Sequence, residues 1–300
     1  MLITLALKII PYKKYIISSV FFMPMLLALA SVYSPDGIGT ALIALFIAYC
    51  LKLHEKDNMN KKEILLLLVL FTFAVSIKSI GYFGIALIVF ILPLKKIIIQ
   101  NKKYIKYVIP LLLIAFIIVL SILRTNINAP GDTRSAGTNN REQFEYILNN
   151  PVQYCKVLVK HTIDTFTSLR GMSFLNAPMF FYRTYYSLFL LMSIYLLFIS
   201  IIDSSKQLKI KNRILFVFSF FIVFAMISTA MYLSYTKVGA TYINGYQMRY
   251  IFPTLPLILM SISIKKIGLD IENKFKYSNL YVAYPTMIFL IISVLDLTVI

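Results

Sequence analysis

Long apolar runs, each near or above the ~20 residues that a helix needs to cross a bilayer, recur along this chain and limit what it can become. The clearest are Tyr15–Tyr33, Ile38–Leu53, Tyr107–Leu123, Thr184–Ile202, Ile214–Tyr235, Tyr250–Ile264 and Asn279–Ile300. In hydrocarbon every backbone N–H and C=O must find its partner within the protein, which leaves closed barrels and helices. A barrel would show ten-residue segments alternating apolar and polar, and none is present. Composition agrees: 59% of the 300 residues are hydrophobic, 14% are charged, and mean hydropathy is +0.80. The expected fold is all-α, a polytopic transmembrane helical bundle of about nine spans, short broken helices included. It is expected to form one integral membrane domain over residues 1–300.

Three stretches depart from a simple span. Met1–Ile10 is apolar but too short to cross and lacks a basic leader. It reads as the tail of a helix, so the chain is expected to lack an N-terminal part. Glu63–Leu94 would make one helix of about 48 Å against a core of ~30 Å. Lys78 and Gly81 interrupt it, which predicts a hairpin of two short helices with Lys78 at the interface. Residues 124–182 form a polar excursion outside the membrane. Asn150-Pro151 supplies a start signal for a helix over Val152–Leu169. Val152, Cys155, Val159, Thr162, Ile163 and Phe166 fall near one face, with Lys156, Lys160 and Asp164 on another, as in an amphipathic helix lying on the membrane surface.

The +18 net charge does not point to nucleic acid, because most of the Lys lie in short loops between apolar runs. There they set topology and meet anionic headgroups. The loops Lys52–Lys62, Lys95–Lys106, Lys206–Arg213 and Lys265–Lys276 are therefore expected in the cytoplasm, with the protein multi-pass in the plasma membrane. Every Arg except Arg213 falls on the opposite side: Arg124, Arg134, Arg141, Arg170, Arg183 and Arg249. Either cation satisfies topology, whereas the planar guanidinium fork suits phosphate and carboxylate better than an ammonium. Pairing with Asp132, Glu142, Glu145 and Asp164 would also explain these Arg. The two Cys (Cys50, Cys155) and two His (His54, His161) are far apart, so no disulfide, metal site or cofactor is expected.

Polar chemistry concentrates in Ile243-Asn244-Gly245-Tyr246-Gln247-Met248-Arg249-Tyr250-Ile251-Phe252-Pro253, at the mouth of a span. Gln247, Arg249 and Tyr250, with Arg170 and Arg183, are the expected ligand-binding residues. Arg249 would sit at the depth of lipid phosphates, and Gly245 would let the backbone approach a ligand. Snorkelling of Arg249 to headgroups would also account for its place. Asp36, in the turn Ser34-Pro35-Asp36-Gly37, is a candidate catalytic base or an ordinary helix cap.

Those two stretches resemble the bacterial membrane family called domain of unknown function 2142, which tends to carry a small-residue/Asp turn and a Gly-x-Gln-Gly-Arg-Tyr-x-x-Pro pattern. Met248 stands where that pattern has Gly. The resemblance extends over essentially the whole chain, and relatives resemble C-type glycosyltransferases. It implies a polyprenyl-phosphate-dependent glycosyltransferase of cell-envelope polysaccharide assembly. The partners implied are membrane lipids, a lipid-linked phosphate sugar and other envelope-assembly proteins. A non-catalytic scaffold or a transporter of lipid-linked saccharide is the alternative.

Overall fold

The structure, a computed structural model, describes residues 1–31, 35–76, 79–92, 127, 136–167, 186–203, 205–262 and 280–298. Every regular element among them is helical. Among the described residues two helices are long and apolar enough to cross a membrane: α4 (Pro35–His54) and α9 (Ile210–Tyr235). Shorter apolar segments pack around them.

The first half of the chain builds the layer around α4. The helix α1 (Leu2–Ile9) lies against α4, while α2 (Lys14–Phe21) and α3 (Pro24–Ser31) come between them in sequence. The apolar run from Tyr15 was expected to be one span kinked at Pro24. Instead it divides, and Pro24 opens α3. A proline has no N–H to give, so a first turn, whose N–H groups lack intrahelical partners anyway, accommodates it without loss of a hydrogen bond. The chain turns through Met23, whose carbonyl accepts from Leu26 and Leu27 N–H. At the start of α4, a Cβ on Gly37 would stand 2.7 Å from the Leu29 carbonyl oxygen. Only glycine lets the first turn of α4, with Asp36 in it, press so close to α3.

The helix α5 (Lys61–Ser76) is followed by a 3₁₀ helix over Ser79–Ile91 that folds back along it. Phe71 and Phe83 pack edge to face at 5.6 Å, and His54 Nδ1 bonds the Ile91 carbonyl at 2.9 Å. The start of α5 and the end of the 3₁₀ helix thus share one end of the molecule. Lys78 lies outside the described residues. The 3₁₀ helix lies closely on α9 because its contact face is small. A Cβ on Gly84 would meet Ile222 Cγ2 at 2.8 Å and Val223 Cγ2 at 2.9 Å, and Ser219 Oγ donates to the Gly84 carbonyl at 2.9 Å. Small residues of this kind let apolar helices approach when water supplies no drive.

The helix α6 (Asn140–Asn149) is capped by Asn139, whose side chain accepts from the N–H groups of Arg141 and Glu142. Then α7 (Pro151–Thr167) follows. The face expected to be apolar proves to be divided. Phe166 packs on Phe220, Phe221 and Phe224 of α9, while Val152, Val159 and Ile163 point away, each more than half exposed. The face turned to α9 is Tyr154, Val157, His161 and Thr165. The bundle closes with α8 (Tyr186–Ile202), α10 (Leu255–Ile262) and α11 (Leu280–Thr298).

The loops gather at two ends. At one, Lys206 pairs with Glu55 and lies over Tyr12, Lys13 pairs with Asp203, and Asn212 meets His54. At the other stand Asp36 and Arg249, with Gln143 bridging the Tyr232 carbonyl and the Gly239 N–H. The described parts of the loops expected in the cytoplasm share the first end, and Arg249 belongs to the second.

Candidate functional site

The second end is organised by the loop from Thr236 to Pro253. Asn244 N–H donates to Thr236 Oγ1 at 2.9 Å, and Gly245 N–H to Asn244 Oδ1 at 2.9 Å. Gly245 then adopts φ +75°, and a Cβ there would lie 2.8 Å from Tyr235 Cδ1. Both the conformation and the space admit glycine only. This turn sends Tyr246 inward. Its ring packs edge-on against His161 of α7 at 5.0 Å and against Phe224 of α9 at 5.2 Å. Its hydroxyl is buried with no hydrogen-bond partner, and burial, with Tyr82 nearby, raises its pKa well above the usual phenol value.

Beyond Gln247 the chain makes two short 3₁₀ turns, Met248–Tyr250 and Phe252–Thr254, before α10. The first turn aims Arg249 at α4. Arg249 Nε stands 3.7 Å from Asp36 Oδ2, with the side chains 18% and 12% exposed. That Nε is buried and makes no hydrogen bond, and the guanidinium lies 5.2 Å over the ring of Tyr250. Tyr82, at the start of the 3₁₀ helix, donates to the Tyr250 carbonyl at 2.6 Å and fixes the turn from below. A cavity of about 40 Å³ lies beside Tyr250, lined by Gly81, Tyr82, Ile227, Ala230 and Met231. It is large enough to hold water.

Of the residues expected to act together, the fold brings Asp36, Arg249 and Tyr250 into contact and places Gln247 one turn before them. Arg170 and Arg183 lie outside the described residues. Asp36 and Arg249 were expected separately, as base and ligand clamp; their pairing is a product of the tertiary structure. Sequence reading missed Tyr82, whose signal was the small-residue break at Gly81, and His161, a lone His on an amphipathic helix. Among the described residues no three His, Cys, Asp or Glu side chains come together to hold a metal ion.

A membrane-length α4 and α9 with short apolar helices around them fit a helical membrane protein. The chain belongs to the family described as predicted membrane protein (DUF2142), whose sequence profile matches residues 1–258. No curated protein and no solved structure matches it.

Proposed function

We propose that the Asp36–Arg249 centre binds the phosphate of a polyprenyl-phosphate sugar at the outer face of the plasma membrane, and that the protein transfers the sugar to an envelope polysaccharide. The observation that carries this reading is the pair itself. A guanidinium with a buried, unbonded Nε, held loosely at 3.7 Å by a carboxylate, is a clamp with bonding capacity left over. A phosphate brings shorter, paired N–H···O bonds and displaces the carboxylate. Asp36 then acts as the base that takes the proton from an acceptor hydroxyl. The new C–O bond forms at the anomeric carbon, the bond to the lipid phosphate breaks, and Arg249 stabilises the departing phosphate. Gln247 adds a donor and an acceptor one turn away.

Transport of a lipid-linked saccharide has less support. It calls for ionisable groups midway along the spans, and among the described residues α4 and α9 carry charge only in their terminal turns. A scaffold role has no use for a partly satisfied guanidinium.

The test is binding of polyprenyl phosphate to the full chain in lipid nanodiscs, read by native mass spectrometry, followed by transfer from the labelled polyprenyl-phosphate sugar. Arg249→Lys and Gln247→Ala are expected to weaken binding at unchanged expression. If both bind as the parent does, the site is not a phosphate clamp. If binding holds but no sugar is transferred, the scaffold reading takes its place.

A further inference from the structure

The contacts between α7 and α9 form a register. Tyr154 bonds Thr229 and packs on Tyr232 at 5.3 Å, His161 stacks on Phe224 at 5.7 Å, and Phe166 meets Phe224 at 5.1 Å and both Phe220 and Phe221 at 6.1 Å. As α7 advances from Tyr154 to Phe166, its partners recede along α9 from Tyr232 and Thr229 toward Phe220. Two helices crossing steeply would touch at one place; these run antiparallel over about 18 Å at ~1.5 Å per residue. The helix α9, with 26 residues, is about 39 Å long, enough to cross a ~30 Å core with an overhang at each end. Tyr232 is near its terminus, whereas Phe220 and Phe221 lie near its middle.

From this register we infer that α7 is immersed lengthwise in one leaflet beside α9, its unpacked face covered by lipid, and does not lie flat on the membrane surface. That face carries Val152, Val159 and Ile163, which are 69%, 57% and 55% exposed, and past the stretch covered by α7 the helix α9 is itself exposed at Ile214 (65%) and Phe218 (56%). Charge on the face is arranged for the same setting. Lys156 and Lys160 line a groove with Val159 and Ile163, and helical side chains lean toward the N-terminus of their helix. For α7 that is the end beside Tyr232, where headgroups lie. Both lysines therefore bury their stems along the groove and reach back to anionic phosphates. Asp164 lies one turn beyond Lys160 in the same groove. With His161 against Tyr246 at 5.0 Å, α7 becomes the wall between the bilayer and the loop that carries Arg249. The inference rests on the helix register and not on the phosphate reading.

The experiment is depth measurement on the full chain in vesicles of phosphatidylcholine and phosphatidylglycerol. Cys155 is replaced by Ser, and Cys50, wholly buried, is retained. Single cysteines at Val152, Val159 and Ile163, all exposed and so tolerant of substitution, are labelled with a bimane and quenched by lipids brominated at graded depths. Lengthwise immersion predicts that the depth of best quenching increases from 152 to 163, a spread of about 16 Å at ~1.5 Å per residue. One shared shallow depth would mean a flat helix and overturn the inference. Quenching of 159 and 163 by aqueous iodide and not by brominated lipid would mean that water or a protein partner covers this face, and would overturn it equally.

Discussion

The Oδ2 of Asp36 lies 3.7 Å from the Nε of Arg249, joining the first turn of the first long span to the loop that follows the second. Neither residue reaches the other by sequence proximity. The close approach of α3 at Gly37 and the turn at Gly245 bring them together. If the carboxylate competes with a ligand phosphate for the guanidinium, the two substitutions act in opposite directions. Asp36→Asn is expected to tighten polyprenyl-phosphate binding by about 3- to 10-fold while abolishing transfer, and Arg249→Lys to weaken binding by about 10-fold, one charge-assisted hydrogen bond's worth. Titration of the lipid phosphate against both variants measures this, and equal weakening by both would refute the competition.

Gly245→Ala should destabilise the loop beyond an ordinary Gly→Ala change. A left-handed φ costs an L-residue about 1–2 kcal/mol, and the added methyl meets the Tyr235 ring at 2.8 Å. Thermal unfolding followed by circular dichroism in detergent should show the loss. A variant that melts with the parent would mean that the loop adopts another conformation.

The two glycines facing α9 should differ. At Gly84 the obstacles include the Val223 backbone N at 3.0 Å, whereas at Gly81 only the Ile227 Cγ1 comes closer than that. A side-chain tip can rotate and a helix backbone cannot. Gly84→Ala is thus expected to destabilise the protein by about 1–3 kcal/mol through overpacking and to lower the melting temperature more than Gly81→Ala. The reverse order would contradict the packing described.

At the other end, Lys13 and Asp203 are 0% and 1% exposed and 3.9 Å apart, and the Lys13 ammonium also donates to the Asp203 carbonyl. Asp203→Ala leaves the buried cation without its carboxylate, a loss of up to about 3–5 kcal/mol. The double change Lys13→Met with Asp203→Leu should recover most of it. Burial lowers the Lys13 pKa, and Asp203 offsets only part of that. Between this lowered value and the ordinary lysine value the folded protein binds fewer protons than the unfolded one, so stability rises with pH through that window. The double variant should lose this rise.

Sidedness is open to direct labelling. With Cys155 replaced by Ser, single cysteines at Lys209 and Lys237 lie at opposite ends of α9. The positive-inside rule places Lys209 in the cytoplasm, so in intact cells an impermeant maleimide should label position 237 and spare 209. The opposite result would invert the orientation and put the Asp36–Arg249 centre inside the cell.

Much of this protein was legible in the chain itself. Apolar runs without alternation dictate helices, because hydrocarbon offers a backbone no other partner. The helix start at Asn150-Pro151 and the left-handed turn at Gly245 are likewise local, set by one or two residues' chemistry. Other features were settled only by packing. Pro24 opens a new helix where a kinked span was expected, since a first turn accommodates its missing N–H without loss of a hydrogen bond. The amphipathic pattern from Val152 to Phe166 could mark a helix on a membrane or a helix on a protein; the aromatic side chains of α9 claimed Phe166 and left Val152, Val159 and Ile163 outside. Asp36 and Arg249 could be recognised one by one as polar groups at helix mouths. That they face each other depends on contacts between residues far apart in sequence, which no local pattern encodes.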